Sequence, residues 1–125
     1  MAITVREAED IRILELAGEF ALGSTGLGHA LDLRGNRLQD LSATLHDLLK
    51  QGYPRIVLNL SQVPFLDSAG LGELIACLKR ARQRGGDVRL LRPTLRVRDL
   101  LEMTALTRVF RIFDDEPEAL ASFRL

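Results

Sequence analysis

A chain of 125 residues with 17 Lys plus Arg against 17 Asp plus Glu carries no formal net charge, which disfavours an indiscriminate binder of polyanions. At this length about two thirds of the unfolded surface can be buried, so a single domain over residues 1–125 is expected, with no disulfide or metal staple and no cofactor. With 46% hydrophobic and 27% charged residues the composition excludes a disordered or collagenous chain. Cys77 is the single cysteine and has no internal disulfide partner, which fits a reducing compartment. The start, Met1 to Glu7, lacks the basic region and long apolar core of a secretory signal, and no apolar run approaches the roughly 20 residues that span a bilayer. A cytoplasmic protein without membrane insertion is therefore expected.

In chain order, Ile3 to Arg6 alternates apolar and polar residues, and Ile11 to Ala17 is a second β-prone segment beyond the polar turn Glu9-Asp10; together they predict a hairpin. Leu41, Leu45, Leu48 and Leu49 recur at helical spacing, with Gly52 as a stop and Pro54 beyond it. Ile56 to Leu60 is a short apolar run suited to a strand buried on both faces at the centre of a sheet. Leu71, Leu74, Ile75 and Leu78 form a second amphipathic helix that ends at Gly85-Gly86. Val88 to Leu91 and Val109 to Phe113 are two further candidate strands. Between them Val97, Leu100 and Leu101 indicate a helix capped by Thr94, and Asp114-Asp115-Glu116-Pro117 opens a last helix presenting Ala119, Leu120 and Phe123. This order predicts an α/β fold: a central mixed β-sheet of about five strands with about four helices packed largely on one side or around it.

One stretch stands apart. Residues 20–37 hold four of the ten glycines together with His29, and an 18-residue structureless loop is unusual in a compact domain, so a short helix over Leu27 to Arg34, ended by Gly35, is expected there. Gly23-Ser24-Thr25-Gly26-Leu27-Gly28 superficially resembles a phosphate-cradling loop, but its spacing departs from the dinucleotide fingerprint. No Gly-Lys-Ser or Gly-Lys-Thr occurs, no His or Cys pair has zinc-ligand spacing, and Ser68 lacks the preceding glycine of a nucleophile elbow. No catalytic residue and no metal ligand is assigned.

Charge is less even along the chain than in total. Lys79 to Arg98 contains eight basic residues and one acid, a local excess of seven positive charges balanced by acids elsewhere. Such a strip is either a solvated face or a partner-facing patch. Direct nucleic-acid binding is disfavoured, because no Phe, Tyr or Trp lies between Lys79 and Arg98 to stack on bases.

The segment from Ile56 to Gly72 carries the most information. It runs from the buried strand through a tight connection into a helix whose first turn, Asp67-Ser68-Ala69-Gly70-Leu71-Gly72, is nearly free of bulky side chains. Either Asp67 or Ser68 suits the cap. Two glycines there weaken the helix by roughly 1 kcal/mol each relative to alanine, so close approach is expected, either of the sheet or of a partner. A phosphate on a serine at a helix N-terminus is tolerated by the dipole and adds about −1.5 to −2 charges, which marks Ser68 as a candidate switch.

Asn59-Leu60-Ser61 followed by Phe65-Leu66-Asp67-Ser68-Ala69-Gly70-Leu71-Gly72, with Gly18-Glu19 after the second strand and Leu101-Glu102-Met103-Thr104-Ala105-Leu106 near the end, closely resembles the STAS family. That family includes bacterial anti-sigma factor antagonists and domains of sulphate transporters. The resemblance implies a STAS-like fold and a non-enzymatic binding module: an antagonist that binds an anti-sigma factor serine kinase and is switched off when the kinase phosphorylates the serine matching Ser68, until a serine phosphatase resets it. It implies Asp67, Ser68, Ala69, Gly70, Leu71, Gly72, Glu19 and Asn59 as the partner-binding set. The alternative is a STAS scaffold whose Ser68 only caps the helix, in a stress-signalling assembly or as a soluble transporter subunit. Two features depart from the family pattern: Ala21 stands where relatives often carry aspartate, and residues 20–37 are longer than usual.

Overall fold

The structure, a computed structural model, describes residues 2–18 and 41–124. The predicted helix over Leu27 to Arg34, the glycine-rich stretch 20–37, His29 and Glu19 lie outside the described residues. Strand β1 (Ala2–Ala8) turns at Glu9-Asp10 into β2 (Ile11–Ala17), and the two pair antiparallel. The chain continues as α1 (Leu41–Lys50), β3 (Arg55–Gln62), α2 (Ser68–Gln83), β4 (Asp87–Leu91), α3 (Leu95–Met103), a 3-10 turn (Leu106–Arg108), β5 (Ile112–Phe113) and α4 (Glu116–Ala121). The sheet has the order β1-β2-β3-β4-β5, with every pair after the hairpin parallel. The expected mixed sheet of five strands with four helices is thus the architecture observed.

The two faces of the sheet follow from the alternation of its strands. Leu14 and Leu16 of β2, Ile56, Leu58 and Leu60 of β3, and Val88 and Leu90 of β4 point to one side. There they meet Leu41, Leu45, Leu48 and Leu49 of α1, Leu71, Leu74 and Leu78 of α2, and Val97 and Leu101 of α3 in one core. Because the strand order advances by one at each step, crossovers of a single hand bring α1, α2 and α3 to the same face. The opposite face, with Ile11, Ile13, Val57 and Leu91, is covered by α4 through Ala119, Leu120 and Phe123. Helix α4 follows the last strand and completes no crossover, so the handedness rule does not place it.

Turn chemistry sets the ends of α2. At its C-terminus the Gly86 N–H donates to Ala81 O at 2.9 Å and the Gly85 N–H to Arg82 O at 3.1 Å, with Gly85 at φ +82, the pattern of a Schellman stop. Gly86 has a separate reason: a Cβ there would lie 2.0 Å from the Pro54 carbonyl oxygen, so only glycine lets β4 start beside β3.

The arginine-rich strip is largely a solvated face, with Lys79, Arg80, Arg82, Arg84, Arg92 and Arg96 exposed, but most of its guanidinium groups also bond to neighbouring elements. Arg80 donates to Ser42 Oγ at 2.6 Å, Arg84 to Leu49 O at 3.2 Å, and Arg82 to Asp87 at 3.1 Å and Val109 O at 3.1 Å. Arg89 bonds Asp87 at 3.2 Å and Ser122 Oγ while stacking 3.9 Å over the Phe123 ring, which fastens α4 to β4. Arg92 donates to Asp114 O, and Arg98 pairs with the Asp114 carboxylate. At the start of α4, Arg6 of β1 pairs with Glu116 and with Glu15 of β2, and the Glu116 contact first, then Glu15, raise the Arg6 pKa against the lowering effect of burial.

The strand expected over Val109 to Phe113 is corrected to Ile112–Phe113. Val109 and Phe110 look β-prone, but their N–H groups both donate to Leu106 O, at 3.0 and 2.9 Å, closing the 3-10 turn. Those donors are lost to the ladder, and pairing with β4 resumes only at Arg111, whose carbonyl accepts from Leu90 N at 3.0 Å.

Candidate functional site at the start of helix α2

Strand β3 delivers the chain to the C-terminal end of the parallel strands, where an open sheet leaves its loops accessible. The Asn59 carboxamide oxygen accepts from Ser61 N at 3.0 Å and the Val63 N–H donates to Leu60 O at 3.0 Å, which turns the chain at the strand end. Val63 and Leu66 are buried and anchor the connection. Asp67 has extended backbone, and its Oδ1 accepts from Gly70 N at 2.7 Å while its carbonyl accepts from Leu71 N at 3.0 Å. Asp67 is therefore the N-cap, and Ser68 is the first helical residue, exposed and spared the capping role. The N–H groups of Ser68 and Ala69 have no acceptor among the described residues, so the helix presents two donors and its positive dipole end beside the Ser68 hydroxyl.

Around this turn, side chains divide by face. Ser68, Ala69 and Gly72 are exposed, Asp67 is half-buried, and Gly70 and Leu71 point into the core. The two glycines thus differ in setting. Gly70 is buried, whereas a Cβ at Gly72 would meet no atom within 4 Å. Among the described residues nothing requires glycine at position 72.

Neighbouring elements converge here. Gly18 N donates to Gln62 O at 3.0 Å, holding the end of β2 against the end of β3. The Thr94 hydroxyl accepts from Val97 N at 3.3 Å, capping α3 as expected, and donates to Val63 O at 3.2 Å, which ties the start of α3 to the connection before α2. The Arg96 guanidinium lies 5.7 Å over the Phe65 ring, and Leu95 beside it is 81% exposed.

The STAS domain family model matches residues 32–119. The chain belongs to the STAS domain family. A Thermotoga neapolitana protein described as an anti-sigma factor antagonist is 39% identical over 74 residues; the match covers 59% of this chain and 66%, just under two thirds, of that relative. The crystal structure of an anti-sigma factor antagonist from Thermotoga maritima superposes with a TM-score of 0.80 at 27% identity, covering 98% of this chain and 95% of that one. The Bacillus protein SpoIIAA shares the fold in its unphosphorylated form, with a TM-score of 0.74 at 20% identity over 98% of this chain and 96% of that one. Its phosphorylated form gives 0.68 at 19% identity, over 98% and 100%.

Within this STAS domain, the residues singled out from sequence fall into three groups. Ser68, Ala69 and Gly72 share an exposed surface, with Asp67 at its edge. Gly70, Leu71 and Asn59 are buried and support that surface from behind, Asn59 by holding Ser61. Glu19 lies outside the described residues. Sequence reasoning missed Leu95 and Arg96 as neighbours of this end. The available signal was position: residues 95 and 96 directly follow the capping Thr94 and lie off the Val97-Leu101 face that α3 buries. Among the described residues no helix is long and apolar enough to cross a membrane.

Proposed function

We propose that this protein is an anti-sigma factor antagonist that binds an anti-sigma factor serine kinase through the exposed first turn of α2 and is released when the kinase phosphorylates Ser68, with a serine phosphatase restoring the binding form. The observation that carries this reading is the division of labour at Asp67 and Ser68: Asp67 caps the helix, which leaves the Ser68 hydroxyl exposed and without a hydrogen bond among the described residues. The capping hydrogen bond made by Asp67 favours this reading over one in which Ser68 serves only as a cap. Gly72, one turn along, supports the same reading, because it keeps exposed helix backbone bare at a cost of about 1 kcal/mol to helix stability without serving internal packing.

A phosphate on Ser68 adds about −1.5 to −2 charges to a neutral protein, directly after Asp67. The two N–H groups without an acceptor among the described residues, together with the dipole, accommodate it within the fold, so the modification alters the surface while leaving the domain folded. An interface formed by close contact with Ser68, Ala69 and Gly72 has no room for three phosphate oxygens and their hydration. Incubation with the cognate kinase and ATP, followed by mass spectrometry, is expected to find phosphate on Ser68. Ser68→Asp is expected to weaken kinase binding, and binding equal to that of the unsubstituted protein refutes the switch.

A further inference from the structure

We propose that the cleft between α3, the 3-10 turn and the edge strand β5 binds a compact multivalent anion of the phosphate type. The cleft has a volume of about 420 Å³ and is lined by Arg98, Arg108 and Arg111 with the Thr107 hydroxyl, over apolar surface that includes Val109 and Phe113. That size suits a small molecule. Among the described residues no acidic side chain lines it. The other arginines among the described residues mostly bond to neighbouring side chains or carbonyls, whereas Arg108 and Arg111 make no side-chain hydrogen bond or ion pair among the described residues; Arg111 only lies 5.4 Å over the Phe113 ring. Two unspent guanidinium groups and a third cation thus converge on one concavity.

The third, Arg98, is paired with Asp114, whose side chain is 75% exposed. An exposed pair of this kind is weak, so a ligand carrying several charges competes effectively with Asp114 for Arg98. Planar guanidinium forks match phosphate oxygens in bidentate fashion, and the Thr107 hydroxyl adds a neutral donor. An acidic peptide adding a strand is disfavoured, because β5 offers an edge only two residues long. The site is distinct from the first turn of α2 and does not depend on what Ser68 does.

Inorganic pyrophosphate titrated into the full chain at low ionic strength is the direct test. Calorimetry is expected to show one site per chain, weakened at least about tenfold in an Arg108→Gln, Arg111→Gln double variant, since each lost guanidinium removes charge-assisted hydrogen bonds. Lys79→Gln removes a charge from exposed α2 outside the cleft and is expected to leave affinity unchanged. In the unsubstituted protein, amide shifts at Ile112 and Phe113 are expected to move on titration while those at Ser68 and Ala69 stay put, a readout that needs no variant. Absence of binding, equal loss in Lys79→Gln, shifts centred on Ser68, or binding to phosphatidylglycerol vesicles or poly-glutamate in place of pyrophosphate overturns the proposal.

Discussion

Replacing Asp67 by alanine separates capping from switching at adjacent residues. Asp67 Oδ1 accepts from Gly70 N at 2.7 Å, and its side chain occupies the positive end of a 16-residue helix. Loss of an N-cap costs about 1 kcal/mol, and loss of a negative charge at the dipole adds about 0.5 kcal/mol. The sum, about 1.5 kcal/mol, corresponds to a fall of roughly 6 °C in Tm for a domain of this size. Ser68→Ala, one residue along but exposed and outside the cap, is expected to change stability by no more than about 0.5 kcal/mol. Asp67→Asn keeps an oxygen in place and is expected to recover most of the loss. The chain has no tryptophan, so thermal melts followed by far-UV circular dichroism are the appropriate assay. A drop for Ser68→Ala as large as that for Asp67→Ala, or an Asn variant no better than Ala, would show that the serine hydroxyl does the capping and would remove the argument that leaves it for a kinase.

Three further outcomes follow from the same geometry. Gly72→Ala adds a methyl into open space on an exposed helix turn, so it is expected to stabilise the fold by up to about 1 kcal/mol in denaturant titrations while weakening binding to the anti-sigma kinase; gain of stability with full binding excludes position 72 from the interface. Gly86→Ala drives a methyl into backbone 2.0 Å away and is expected to destabilise by about 1–3 kcal/mol or more by the same titration. Arg89→Met leaves Asp87 and Ser122 without their shared partner and unstacks Phe123, so residues 116–124 are expected to become susceptible to limited proteolysis while α2 stays protected.

What the sequence reveals and conceals here follows from how local each determinant is. The helix α1 is legible because Leu41, Leu45, Leu48 and Leu49 repeat at helical spacing, and all four are buried. Strand β3 is legible because a strand covered on both faces must be apolar almost throughout. The length of β5 is not, since Val109 and Phe110 have strand-like side chains and only the backbone bonds to Leu106 reveal the tight turn. The side covered by α4 is equally hidden, because no crossover rule constrains a helix after the last strand. At the site, Asp67 and Ser68 are chemically interchangeable caps in sequence, and a choice between them needs the hydrogen bond to Gly70. The arginine strip is the clearest case of concealment: its charge is visible, but its partners Ser42, Leu49, Asp87, Asp114 and Ser122 are distant in the chain or unmarked.

The sheet order β1-β2-β3-β4-β5 means that each strand neighbours the one made just before it. Assembly can therefore proceed in the direction of synthesis, each new β-α unit adding to an edge already present, with no strand left waiting for a partner still to be made. The one long closure is between β2 and β3, which span the segment from Gly18 to Pro54. Closure entropy grows only logarithmically, so a dozen added residues there slow or destabilise folding by well under about 1 kcal/mol. Extra length is therefore cheap at this position in the chain, which opens directly from Gly18, bonded to Gln62 at the strand end from which the chain runs on to Ser68.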